Sequence, residues 1–201
     1  MVLETFDGSK IPPIIAKLLT PENFEPFGGV ISPEHQVIAN DSNANYGTAI
    51  KIPKVAPVVN NYKMSQSGSS TTNWNIFRCS RPDHLLTEGR GNWQYTSTVL
   101  ERHPFTTQTF LPLGKTDEIC YLVIVAKSDT KTTLPDPDTI AAFLCRGNQS
   151  VTYGVGVWHA PMITIQDRTV DFAVLVHESG IAEEDTQECY YDPGYQVYYR
   201  M

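Results

Sequence analysis

Two short segments of the sequence carry residue types that can move protons or hold a metal ion. The first contains Glu101 and His103, with Gln108 five positions further on, and the second runs from Gly147 to His159. Residues two apart in a β-strand point to the same face, so Glu101 and His103 can face one pocket. Carboxylate and imidazole groups serve either as general acid and base or as ligands of a divalent metal. We therefore take Glu101, His103 and His159 as candidate catalytic residues.

Four further residues are candidates for substrate contacts. Arg78 and Lys115 offer positive charge for a small carboxylate, which arginine can bind through two parallel hydrogen bonds. Lys115 is also a candidate catalytic residue. Asn40 and Tyr46 lie in a polar segment that can form a loop over a substrate.

Each candidate also has a structural interpretation. His159 follows a tryptophan and can be a core histidine bonded to backbone, and Glu101 can form an ion pair with a nearby arginine. Gln108 is a weaker metal ligand than a carboxylate and can instead bond substrate or backbone. Lys115 lies in a turn-like segment and can be a solvated lysine. The sequence leaves these alternatives open.

Elements that would position these residues are short and mostly extended. The apolar and β-branched runs predict strands at 75–79, 96–100, 107–111, 119–126, 151–153, 162–166 and 172–177. Such spacing, with little helix between the strands, predicts a mostly β sandwich or barrel. We expect helix in the opening segment, capped at Thr20-Pro21, and again over 139–144 after Asp136-Pro137. The chain is predicted to form a single domain over residues 1–201.

Composition excludes several classes of protein. The formal net charge is -7 and the pI is about 5.2, which argues against a nucleic-acid-binding surface. The four cysteines form no CxxC pair, which argues against a zinc ribbon or a disulfide scaffold. The first residues lack the pattern of a signal peptide, and no apolar stretch has the length that spans a membrane. We therefore expect a cytoplasmic protein that binds neither nucleic acid nor membrane.

The two chemistry-bearing segments resemble the two sequence motifs of cupins, with Glu101 in place of a histidine and Gln108 in place of a glutamate. A more specific resemblance lies in six short motifs in and around these segments, which are similar in content and order to the ureidoglycolate lyase family of allantoin degradation. They are Leu100-Glu101-Arg102-His103-Pro104, Thr107-Gln108-x-Phe110-x-Pro112, Ala142-Phe143, Gly147-x-Gln149-x-Val151-x-Tyr153, Val157-Trp158-His159-x-Pro161 and Asp171-Phe172.

That resemblance implies a fold, an activity and a cofactor. The fold would be a cupin-type jelly-roll β-barrel with short peripheral helices. The activity would be cleavage of (S)-ureidoglycolate to glyoxylate and urea in purine nitrogen catabolism. A divalent metal, nickel or another, would be held by a set of ligands drawn from Glu101, His103, Gln108 and His159. The alternatives are a non-catalytic cupin, or a different metal-dependent cupin that acts on a small carboxylate metabolite.

The resemblance also implies a homodimer. Independently, the C-terminal residues are rich in tyrosine, and aromatic side chains are enriched in subunit interfaces. We therefore predict a dimer contact that involves the tyrosines of this tail: Tyr190, Tyr191, Tyr195, Tyr198 and Tyr199.

Overall fold

A computed structural model describes residues 1–37, 42–89 and 91–201, without the side chains of residues 42 and 43. Strands make up most of the regular structure in these ranges. In chain order they are β1 Val2–Phe6, β2 Ile14–Ile15, β3 Lys17–Leu18, β4 Gly28–Ile31, β5 Ser42–Ala44, β6 Ala49–Lys51, β7 Thr71–Cys79, β8 Leu86–Gly89, β9 Asn92–Arg102, β10 Gln108–Pro112, β11 Ile119–Ala126, β12 Ala141–Arg146, β13 Ser150–Tyr153, β14 Trp158–His159, β15 Ile163–Thr164, β16 Val170–Glu178 and β17 Gln187–Tyr199. The α-helices of the described ranges are single turns: α1 Pro21–Phe24, α2 Pro33–Gln36 and α3 Ala182–Asp185.

Two larger sheets carry the fold. The first has the strand order β1-β17-β9-β14-β11-β12-β3, with β2 also on β17, β8 on β9 and β15 on β11. The second has the order β4-β13-β10-β16-β7, and β5 and β6 form a separate hairpin. The prediction of a mostly β protein is confirmed, and the sheets with their short helices are consistent with a cupin-like fold. The single-domain organisation stays a prediction.

Strand β11 explains how one sheet supports two apolar clusters. Tyr121, Val123 and Val125 pack into a cluster shared with the second sheet, whereas Leu122 and Ile124 pack into a cluster on the opposite face. Both faces of the strand are therefore buried, which is why its sequence is a continuous apolar run rather than an alternating one. The predicted span of this strand agrees with the structure.

The helical expectations are half right. Thr20 caps α1, because its hydroxyl accepts from the Asn23 amide at 3.2 Å while the Asn23 side chain accepts from the Thr20 amide at 2.9 Å. Residues 14–18 before it, however, form β2 and β3, which pair with β17 and β12. The helix predicted over 139–144 is not formed: residues 141–146 form β12, and the 3-10 turn Pro137–Thr139 lies directly before it.

The tyrosine-rich tail is part of the fold rather than a free surface. Its strand β17 pairs antiparallel with β9 along most of its length. Tyr191, Tyr195 and Tyr199 are buried in the second apolar cluster of the same chain. The argument that these side chains form a dimer contact is therefore wrong for three of the five tyrosines. Among the described helices, none has the length and apolar character needed to cross a membrane.

Candidate functional site

A backbone pairing between β9 and β14 brings the two chemistry-bearing segments together. Glu101 lies directly opposite His159 in this antiparallel pair. The turn before β14 contains Gly156, whose positive φ of 69° suits glycine, and its amide donates to the His103 carbonyl at 2.9 Å. The glycine turn is thus anchored to His103 in the first segment.

The side chains of Glu101, His103 and His159 converge. One ligating atom from each lies within 4.8 Å of the other two. The two imidazole centroids are 5.5 Å apart, and Nε2 of His159 lies 3.6 Å from Oε1 of Glu101. That distance is too long for a hydrogen bond, so both atoms remain available to a third group.

Backbone carbonyls fix the tautomer of both histidines. Nδ1 of His103 lies 2.7 Å from the Asp185 carbonyl oxygen, and Nδ1 of His159 lies 3.0 Å from that of Val157. A carbonyl oxygen only accepts, so each Nδ1 carries the hydrogen and each Nε2 keeps a lone pair. Both Nε2 atoms are buried and have no hydrogen-bond partner within the described part of the chain. Two basic nitrogens therefore face the carboxyl group of Glu101.

Burial moves the pKa values of these groups in opposite directions. It raises the pKa of Glu101 to about 7, with a further rise from the negative charge of Glu188. Burial lowers the pKa of His159 to about 3, helped by the neighbouring His103, and burial likewise lowers the pKa of His103. Near neutral pH the imidazoles are uncharged, whereas Glu101 can either carry or release a proton. A carboxyl group and imidazoles in these states suit acid–base chemistry.

Glu101 and His103 line a small cleft of about 170 Å³, a size that suits a small metabolite. The His159 side chain is buried beside them, with 1% of its surface exposed. Gln108 lines the cleft with a buried Oε1 that has no partner among the described residues. Beside the cleft, the Tyr153 ring stacks on the His159 imidazole with centroids 3.9 Å apart, which holds the imidazole plane. Other lining residues were not among the sequence candidates: Asn75, Phe77, Thr106, Val176, His177, Glu178, Asp185 and Thr186.

The structure does not bring the other predicted residues that it describes into this cleft. Arg78 lies on the opposite face of β7 from Asn75 and Phe77, and its exposed guanidinium forms a bidentate pair with Asp171 at 2.8 and 2.9 Å. Lys115 precedes β11 and lines a different cleft, whereas His159 pairs with Val125 near the far end of that strand. Tyr46 is fully exposed and does not line the cleft. Asn40 lies outside the described residues, so its role stays a prediction.

Because Arg78 is engaged by Asp171 outside the cleft, we expect Arg78→Ala to change KM by less than about twofold, with kcat unaffected. Steady-state kinetics of the variant beside the wild-type protein measure both constants. A large rise in KM at constant kcat would instead place this guanidinium on the substrate.

A second, larger cleft has different chemistry. It measures about 820 Å³ and lies between the N-terminal strands and the ends of β9 and β17. Its lining is mostly apolar and includes Ile15, Leu18, Trp93 and Tyr199. Among its described lining residues there is no histidine or carboxylate. The smaller cleft is therefore the candidate active site.

Fold and site together define a mostly β, cupin-like protein in which a carboxylate and two imidazoles converge beside a small cleft. A family model described as ureidoglycolate lyase matches residues 11–198, and the chain belongs to this family. It is 43% identical over 185 residues to the ureidoglycolate lyase of Saccharomyces cerevisiae, covering 88% of this chain and 91% of the relative.

Two further relatives carry the same name. The ureidoglycolate lyase of Schizosaccharomyces pombe is 42% identical over 176 residues, covering 87% of this chain and 89% of the relative. That of Pseudomonas fluorescens is 31% identical over 157 residues, covering 78% of this chain and 80% of the relative.

Proposed function

We propose that the protein is a C–N lyase of the amidine-lyase class that cleaves (S)-ureidoglycolate to glyoxylate and urea in purine nitrogen catabolism. Membership of the ureidoglycolate lyase family supports the substrate. The observation that carries the proposal is the convergence of Glu101, His103 and His159, two of which, Glu101 and His103, line one small cleft. Incubation with racemic ureidoglycolate should release equal amounts of glyoxylate and urea, whereas ammonia in place of urea would indicate a hydrolase.

The reaction requires one proton to be removed and one to be supplied. The reacting carbon of ureidoglycolate bears a carboxylate, a hydroxyl and a ureido nitrogen. A base takes the hydroxyl proton, the oxygen electrons form the glyoxylate C=O bond, and the C–N electrons leave with the nitrogen. An acid then protonates the departing urea, and no water is consumed. Positioned acids and bases each typically contribute about 10²–10⁴-fold to such a step.

The geometry supports an assignment of the two roles. An imidazole Nε2 carries a lone pair at neutral pH, so it can accept the hydroxyl proton. Glu101, whose pKa burial raises to about 7, can donate to the departing nitrogen. Nε2 of His159 and Oε1 of Glu101 lie 3.6 Å apart, so a small approach of the two side chains to hydrogen-bond distance lets the proton return between turnovers. The base and the acid are therefore restored without an outside proton.

The same three residues also fit a divalent metal. Two imidazoles and a carboxylate form a donor set that suits such ions, with Gln108 beside them. The described lining contains no lysine or arginine for the substrate carboxylate and holds the acidic residues Glu101, Glu178 and Asp185, which favours a bound cation. When bound, the ion would lower the pKa of the substrate hydroxyl.

Metal analysis and an assay after chelation distinguish these routes. Activity that persists in metal-free protein supports acid–base catalysis by the side chains alone. Activity that is lost and then restored by one divalent ion, nickel or another, supports the metal. The non-catalytic alternative requires that neither preparation release urea or glyoxylate.

The homodimer is part of the same proposal. Since the tail tyrosines are largely buried, the exposed apolar side chains of the edge strand β7 offer a better contact: Trp74 is 62% and Ile76 is 74% exposed. Light scattering measures the mass in solution. A monomer at micromolar concentration would overturn the proposed homodimer and leave the proposed lyase activity unaffected. The cytoplasmic location predicted from the sequence stays a prediction.

A further inference from the structure

The orientation of His103 depends on a residue 82 positions away. The carbonyl oxygen of Asp185 accepts the hydrogen of His103 Nδ1 at 2.7 Å. This contact leaves Nε2 with its lone pair and turns that atom toward Glu101 and His159. Any displacement of the carbonyl would rotate the ring or allow the other tautomer.

The carboxylate of Asp185 holds its own backbone in place. It accepts hydrogen bonds from the Tyr62 hydroxyl at 2.5 Å, the Ser179 amide and hydroxyl at 2.7 and 2.9 Å, and the Gly180 amide at 2.9 Å. Residues 179–185, including α3, are thereby folded around one carboxylate. These bonds use both carboxylate oxygens, so the carboxylate stabilises the conformation of the 179–185 loop.

Tyr62 extends this arrangement to the segment that follows His103. Its ring packs against Phe105 with centroids 5.6 Å apart, and the neighbouring Asn61 amide donates to the Phe105 carbonyl at 2.8 Å. The segment 60–67 therefore joins the connection after β9 to the 179–185 loop. The connection after β9 holds the backbone of His103, and the 179–185 loop holds its imidazole.

We propose that Asp185 is a positioning residue that sets the tautomer and orientation of His103. For catalysis this rests on the proposed function, because the orientation matters only if His103 Nε2 serves the reaction as a base or a metal ligand. Partners that orient a functional imidazole through its second nitrogen are typically worth about 10–100-fold in activity or metal affinity.

The test compares Asp185→Asn with Glu183→Gln. The first exchange is isosteric and replaces one acceptor oxygen with an NH₂ group that faces a hydrogen-bond donor. The second makes the same acid-to-amide change at an exposed position of α3. We expect kcat of Asp185→Asn to fall about 10–100-fold at nearly constant KM, and that of Glu183→Gln to stay at the wild-type value.

The decisive measurement is a nitrogen-15 spectrum of the histidine side chains in metal-free protein, which reports the tautomer without any enzymatic activity. We expect His103 to be the Nδ1–H tautomer in the wild type and in Glu183→Gln, and a mixture of tautomers in Asp185→Asn. An unchanged His103 tautomer in Asp185→Asn would overturn the proposal, whatever the activity.

Tyr62→Phe provides a milder variant should Asp185→Asn fail to fold. It removes one of the hydrogen bonds to the carboxylate, so a smaller tautomer change in the same direction supports the positioning role. No change in Tyr62→Phe would overturn it. If wild-type protein releases no urea from ureidoglycolate, the proposed function fails, while the spectra still decide the role of Asp185.

Discussion

The His159→Asn variant is expected to turn over ureidoglycolate at least about a hundredfold more slowly than the wild-type protein. Nε2 of His159 is buried, has no partner in the described part of the chain and lies 3.6 Å from Oε1 of Glu101. Asparagine keeps a polar side chain there but lacks a basic nitrogen, so it can neither accept the hydroxyl proton nor replace imidazole as a ligand. Initial rates at saturating substrate measure the effect.

His84→Asn is the matched control, because His84 is exposed and does not line the cleft. It should retain the wild-type turnover. Circular dichroism and thermal unfolding separate loss of chemistry from loss of fold, since His159 also stacks on Tyr153. A folded His159→Asn protein with near-normal turnover would exclude this imidazole from the reaction.

Glu101→Gln is expected to lower turnover by about 10²–10⁴-fold. The amide cannot donate a proton to the departing nitrogen as an acid does, and it is a weaker metal ligand than a carboxylate. The loss is therefore expected by either route. The rate of urea release by the variant checks it, and retention of more than a tenth of the wild-type rate would contradict the assignment.

The same substitution should stabilise the metal-free fold at alkaline pH. Burial raises the pKa of Glu101 from 4.5 to about 7, so between these values the unfolded chain has released a proton that the folded chain retains. Stability must then fall as pH rises through this window, by on the order of 3 kcal/mol for one such carboxyl group.

Glutamine removes this pH dependence. The variant should unfold about 5–10 °C higher than the wild type at pH 8, and the difference should shrink toward pH 5. Thermal unfolding at both pH values measures it, with Glu183→Gln as the exposed control. Equal shifts at pH 5 and pH 8 would contradict a buried Glu101 with a raised pKa.

The sequence predicts long strands such as β11 well, but it does not distinguish a short buried strand from a short helix. Strand β11 was identified because its apolar run is long and β-branched. The sequence predicts a helix over 139–144, although residues 141–146 form β12, because a short continuous apolar run fits a buried strand and a buried helix equally well. These residues form a strand because they pair with β11, and this pairing between separate segments cannot be read from the local sequence pattern.

For the candidate site, the spacing of residues along the sequence predicted which side chains converge, whereas the charge of a residue did not. The two-residue separation of Glu101 and His103 and the glycine turn before His159 were visible in the sequence. Arg78 offered a positive charge, but its face of β7 follows from the sheet, where it lies opposite Asp171. Asp185 contacts His103 through its backbone carbonyl, and since every residue has one, the residue type does not predict this contact.

The most direct test is the ratio of urea to glyoxylate released by purified wild-type protein, followed in time beside the His159→Asn and Glu101→Gln variants. The account predicts one urea for each glyoxylate, no ammonia, and a parallel fall of both rates in both variants. Ammonia in place of urea, or urea release that neither substitution slows, would contradict lyase chemistry at this cleft.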